Sequence, residues 1–177
     1  MDLGAFLQKV QASAQHKRFY HFTDKKNLDS IRQHGLLCTA ELRRQGIFKA
    51  ITPGGDVNSQ ASDRASGTDQ FVCLCFTSNH PMCHIAQNDE RKLDPVYLQI
   101  DPEIIRDAGV MITNAPSNQN GVRKIAAATA LDNLDLDVIY NWMQWKDPSI
   151  LARLKVAEKY EILVPQQVVL KYVIGGL

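Results

Sequence analysis

The sequence has no long apolar run: nothing in its 177 residues approaches the ~18 consecutive apolar residues that a membrane-crossing helix requires. It has no excess of charge of either sign. With 20 Lys and Arg against 19 Asp and Glu, bulk electrostatics draws it neither to duplex DNA nor to an anionic membrane, so any contact with nucleic acid has to be local. It has no secretory opening, because MDLGAFLQKVQASAQHKR carries an acid at Asp2 and no apolar stretch. The four cysteines therefore read as free thiols in a reducing cytoplasm rather than as a disulfide frame. Also missing are the common short catalytic signatures: no GxxxxGKS/T phosphate loop, no GxGxxG after a strand, no GxSxG elbow and no HExxH helix. What remains is one folded domain over residues 1–177, 45% hydrophobic and 22% charged, with no internal repeat or low-complexity tract.

Leu3, Phe6, Leu7 and Val10 recur at helical spacing, which predicts an amphipathic helix over 2–14 inside a prefix of residues 1–17. FYHF at 19–22 alternates like a strand. Thr23 or Asp24 can cap a following helix with the stripe Leu28, Ile31 and Leu36, and Gly35 supplies its stop. From Thr39 to Gln70 the apolar pattern dissolves into basic residues, a TPGG turn at 52–55 and a polar stretch, read as a long functional loop. FVCLCFTS at 71–78, PVYLQI at 95–100, GVMIT at 109–113 and YEILV at 160–164 read as strands, with a short helix opening at Pro81. NAPSNQNG at 114–121 is a second loop, rich in amides and turn residues. Asp135 or Asp137 can cap a helix through Trp145, Pro148 can open another ending near Val156, and VVLKYVI at 167–174 reads as an edge strand. Strands and helices mix without a regular βαβα alternation, so the expected architecture is α+β with two functional loops.

Cys73, Cys75, His80, Cys83 and His84 crowd one stretch and invite a zinc site, but Cys73 and Cys75 share one face of an apolar strand, where free cysteine packs as a small hydrophobe. No metal is expected. Trp142 and Trp145, three residues apart on the expected helix, read as core. Arg43, Arg44 and Lys49 beside Phe48 suit a single-stranded nucleic acid, which needs backbone attraction and base stacking, and suit a solvated face equally. His21 and Thr23 fall on one face of their strand.

Three blocks carry a resemblance. FYHFTDKKNLDSIRQHGLL at 19–37, DRASGTDQFVCLCFTSNHPM at 63–82 and KYEILVPQQVVLKYVI at 159–174 resemble, in this order, the opening, the Arg-bearing loop with its central strand, and the closing stretch of the DarT family. Members of that family are toxins of toxin and antitoxin pairs that ADP-ribosylate nucleic acid using NAD. The resemblance implies an ADP-ribosyltransferase-like core and a base of single-stranded nucleic acid, DNA ahead of RNA, as acceptor. It implies Glu161 as the carboxylate that stabilises the cationic transition state, where spacing alone leaves a strand-edge Glu facing solvent. It implies His21, Thr23, Asn27 and the adjacent Leu28 on the NAD side, and Arg64 at the pyrophosphate or the acceptor base. Asn114, Ser117 and Asn118, with Arg43 and Arg44, would meet the acceptor, and a macrodomain-type antitoxin would be the partner. The chain departs from the family pattern in its helical prefix, at Tyr160 before the glutamate and at Cys83 after Met82, changes expected to bear on the nicotinamide or base pocket. Transfer to RNA or protein is the alternative within the superfamily. A noncatalytic NAD- or nucleic-acid-binding module is the alternative outside it, and convergence of His21, Arg64 and Glu161 on one cleft is what separates the two.

Overall fold

The computed structural model describes all of residues 1–177. In chain order the elements are α1 (Leu3–Ala12), β1 (Phe19–Asp24), α2 (Leu28–His34), β2 (Leu36–Leu37), α3 (Thr39–Arg44), α4 (Val57–Ser66), β3 (Phe71–Cys75), α5 (Pro81–Asn88), β4 (Pro95–Ile100), β5 (Met111–Thr113), β6 (Ile125–Ala126), α6 (Ala127–Ala130), α7 (Asp137–Tyr140), α8 (Pro148–Ala157), β7 (Glu161–Pro165), β8 (Gln167–Val168) and β9 (Val173–Gly175). Seven strands make one sheet in the order β6-β5-β7-β3-β1-β4-β9, and every pairing is antiparallel. Antiparallel neighbours need no helical crossover, which is why the sequence shows no βαβα alternation. β2 and β8 form a separate ribbon, reached from α2 through Gly35, whose φ of 78° is the left-handed stop that glycine adopts without strain.

The junction between β1 and β3 sets the shape of the molecule. β1 pairs with β4 from Phe19 to Asp24 and β3 pairs with β7 from Phe71 to Cys75, yet β1 and β3 share only the pair Tyr20 and Cys75. The sheet is therefore two half-sheets joined at one bridge. Beyond it the strands part, and the ring of His21 spans the gap, its Nδ1 2.9 Å from the carbonyl oxygen of Cys73.

The core lies on the opposite side. Leu74, Leu98, Ile100, Ile112 and Ile162 are fully enclosed, and the N-terminal prefix packs over them. Asp2 caps α1 by accepting from the Ala5 N–H at 2.8 Å. The helix then buries Phe6, Leu7 and Val10, with the Phe6 ring 6.2 Å from Phe19, 6.3 Å from Phe76 and 5.8 Å from Tyr140. The prefix is part of the hydrophobic core.

Three expectations are corrected. Residues 39–70 hold α3 and α4 rather than one loop: α4 is polar all round, so apolar periodicity misses it, but its caps are sound, with Asp56 accepting from the Ser59 N–H at 2.7 Å and Gly67 closing it at φ 68°. The helix expected through Trp145 ends at Tyr140, so Trp142 and Trp145 do not share a helical face; Trp142 is 73% exposed, while Trp145 packs against the core. The strand expected over 167–174 breaks into β8 and β9, with Leu170–Tyr172 forming a 3-10 turn between them, and only β9 is the sheet's edge.

Candidate active site

The parting of the half-sheets opens a cleft of about 390 Å³. His21, Phe22 and Thr23 of β1 line one wall, and Phe71, Val72, Cys73 and Cys75 of β3 line the other. The 51–55 turn, one face of α4 and the 116–119 loop close it above. Cys73 and Cys75, expected as core, face this cleft instead; burial holds both thiols far above their ordinary pKa and so in the neutral form. No lysine or arginine is among the lining residues.

Glu161 opens β7 and lies in register with Cys75 on one side and Thr113 on the other. That places it mid-sheet, not at an edge facing solvent. Its Oε2 accepts the Ser117 N–H at 2.9 Å. Burial pushes the carboxyl above its ordinary pKa, and the hydrogen bonds from Ser117 oppose the shift by favouring the anion. A charge held at the floor of a partly closed cleft by a backbone donor is suited to stabilise positive charge developing beside it.

Two histidines present opposite faces. His21 donates from Nδ1 to the Cys73 carbonyl, which leaves Nε2 as an acceptor, and burial lowers its pKa so the ring is neutral. His80 accepts from the Met82 N–H at Nδ1, 3.3 Å away, so its proton sits on Nε2, a buried donor without a protein partner. The ring stacks on Phe22 at 6.0 Å, and burial pushes its pKa down to about 4.

Asn27 is fully committed. Its amide donates to Thr23 Oγ1 at 3.0 Å and to the Thr52 carbonyl at 2.8 Å, and accepts the Thr52 N–H at 2.9 Å. The side chain thus clasps the 52–55 turn to β1. Asn27→Ala leaves both Thr52 backbone groups unpaired and is expected to cost about 1–3 kcal/mol in urea unfolding. It also speeds hydrogen exchange at the Thr52 amide; an amide that stays protected would show that the turn is held from elsewhere.

Of the residues singled out from the sequence, His21, Thr23, Asn27, Ser117, Asn118 and Glu161 meet in this cleft. Leu28 packs against the core, and Asn114 is exposed at the start of its loop. Arg43 and Arg44 diverge: the Arg43 guanidinium stacks 4.5 Å over Phe48 and faces Asp69, whereas Arg44 points outward in a bidentate pair with Glu41. Arg64 is exposed and outside the cleft, so of the three residues expected to converge only His21 and Glu161 do. Ser59, Gln60 and Asp63 form the cleft-facing stripe of α4, and Arg64 lies about 100° further round the helix. Asp63, His80 and Phe22 are the site residues the sequence reading missed. The Asp56 and Gly67 caps were the signal that could have located α4 and hence its phase. Tyr160 turns to the core beside Phe76, and Cys83 is buried beside Tyr97, so neither lines the pocket they were expected to alter.

Known proteins share this fold. The profile of the family described as "ssDNA thymidine ADP-ribosyltransferase, DarT" matches residues 20–175. Thermus sp. 2.9 DarT in complex with ADP-ribosylated ssDNA shares the fold with a TM-score of 0.61 at 16% identity, over 87% of this chain and 78% of that one. The same protein with NAD+ gives 0.56 at 17% identity, over 91% and 81%. Thermosipho africanus DarTG in complex with ADP-ribose gives 0.60 at 19% identity, where 88% of this chain covers 42% of that one. No curated protein sequence matches the chain.

Proposed function

The chain belongs to the DarT family of ssDNA thymidine ADP-ribosyltransferases, and from that premise we propose that it transfers ADP-ribose from NAD to a thymidine base in single-stranded DNA, with release of nicotinamide. The observation that supports this most is the Glu161 carboxylate on the cleft floor, held by Ser117 and sharing one cleft with His21. Breaking the bond between ribose and nicotinamide builds positive charge at the ribose carbon, and an oriented carboxylate in a low-dielectric cleft lowers the energy of that state. The neutral His21 offers Nε2 to a ribose hydroxyl. His80 offers Nε2–H to a carbonyl, and the ring of Phe22 stacked on it provides an apolar shelf.

The other charges of NAD fall to groups on the rim. Arg43, with an unpartnered buried Nη1, stands beside Asp69, and Lys124 reaches the Ser66 carbonyl at 2.8 Å next to α4. A role as the toxin of a pair, with a macrodomain-type antitoxin as partner, rests on the family alone.

The test is incubation of the protein with NAD and single-stranded oligonucleotides in which thymidine is present or replaced, followed by intact-mass analysis. One added ADP-ribose on thymidine-bearing DNA only is the expected result. Adducts on RNA or protein would redirect the acceptor, and no NAD turnover would leave a binding module. Expression in bacteria is expected to arrest growth unless the antitoxin is supplied.

A further inference from the structure

A single DNA strand carries a phosphate at every nucleotide, yet no lysine or arginine lines the cleft where the chemistry takes place. The free cations lie elsewhere. Lys9 and Lys25 are spent in ion pairs, whereas Lys17, Lys146, Lys155 and Lys159 are exposed and make no ion pair or side-chain hydrogen bond. Each of these four directly follows a residue that lines a second hollow, of about 290 Å³: His16, Trp145, Leu154 and Glu158.

We propose that this hollow is a second DNA subsite, which takes one guanine of the strand near the acceptor thymidine while the four lysines hold the adjoining phosphates. The proposal rests on the transfer to single-stranded DNA inferred above. Two chain segments connect the hollow to the cleft: Asn79 lines the first and His80 the second, and Glu158 lines the first and Glu161 the second. Three residues span at most ~11 Å, a gap that a strand crosses in a few nucleotides.

The side chains suit a base. Trp145 packs against the core and lines the hollow, a fixed ring for stacking. Glu158 Oε1 accepts the Asn79 Nδ2–H at 2.7 Å, which orients the carboxylate and leaves Oε2 without a protein partner. Guanine presents two adjacent donors to such a group, N1–H and the N2 amino group, whereas thymine sets carbonyl oxygens beside its one N–H. Thr77 is 2% exposed with its Oγ1 unpaired, and the buried Nδ1 of His16 is unpaired as well. Orphaned polar atoms gathered at one hollow point to a ligand that completes them. The volume sits at the small end of ligand pockets, enough for one base. Gln15 and His16 precede residue 20, where the family profile begins, so this chain builds part of the hollow from its own prefix.

The test measures transfer to oligonucleotides that carry one thymidine and each of the four bases in turn at the flanking positions. The parent protein is expected to favour guanine at one of them by about tenfold or more in kcat/KM, and Glu158→Gln to lose that preference. Replacing Lys155 and Lys159 together by Gln is expected to raise KM for DNA and to lower its log–log dependence on salt by about 1.4. Melting curves show that the variants are folded. Binding is read without transfer in Trp142→Phe, which leaves Trp145 as the sole tryptophan: an oligonucleotide bearing guanine is expected to quench its emission, and one with abasic sites in place of guanine is not. Indifference to every flanking base, a guanine preference that survives in Glu158→Gln, or Trp145 emission unmoved by guanine overturns the subsite. Quenching by guanine with no thymidine adduct keeps the subsite and sinks the transfer reaction instead.

Discussion

Glu161→Gln is expected to reduce ADP-ribosylation of a thymidine oligonucleotide on the order of 10³-fold, nearly all of it in kcat. Glutamine keeps the shape and still accepts the Ser117 N–H, so substrate affinity changes little while the charge that stabilises the transition state is gone. Steady-state kinetics with both substrates checks this; a variant within tenfold of the parent protein would remove Glu161 from the chemistry. The same substitution is expected to raise thermal stability at neutral pH. Burial raises the pKa of this carboxyl in the folded protein above its unfolded value. Between those two values the native state keeps a proton that the unfolded state has released, so stability falls as pH rises through the window and stays lower above it. Glutamine removes that loss. The gain, about 1 kcal/mol or ~2–4 °C in Tm, appears near pH 8 and vanishes below the unfolded carboxylate's range. Activity runs the other way, because only the ionised form works. The acid limb of kcat is displaced upward from where an ordinary glutamate would put it.

Phe6→Ala is expected to cost about 3–5 kcal/mol, lowering Tm by roughly 6–20 °C. The ring is wholly buried against Phe19, Phe76 and Tyr140, so truncation opens a void among three rings that cannot refill it. The loss is a large share of a typical domain stability of ~5–15 kcal/mol. Calorimetry measures it. A loss under about 1 kcal/mol would mean that the prefix is a separable appendage. The result bears on how the domain is delimited, because the family profile begins at residue 20 and leaves α1 outside. The sheet face that α1 covers carries Leu74, Leu98, Ile100 and Ile162, which cannot be left to water.

Strands β1, β3, β4 and β7 were legible as short runs of β-branched, aromatic and aliphatic residues, alternating in FYHF and continuously apolar in FVCLC and EILV. The Phe6 stripe was legible from its period of 3.6. α4 was not, since a helix that roofs an aqueous cleft needs no apolar stripe and leaves only its caps to declare it. The missing helix also left its phase unread: the resemblance points to Arg64, whereas along α4 residues 63 and 64 point about 100° apart and Asp63 faces the cleft. Asn27 shows a second limit. Its type and position suit a ligand contact, but only the folded chain brings Thr52 to it and fills its hydrogen bonds.

By itself the sequence determined an α+β domain without catalytic loops of the common kinds, a buried N-terminal helix, and a histidine and a glutamate on separate strands. These are local properties, written in periodicity and residue type. The tertiary structure decided that β1 and β3 share one bridge and then part, that the resulting gap is roofed by a polar helix, and that the Ser117 N–H holds the Glu161 carboxylate beside it. Such features depend on register and helical phase between segments far apart in the chain, which no local pattern encodes.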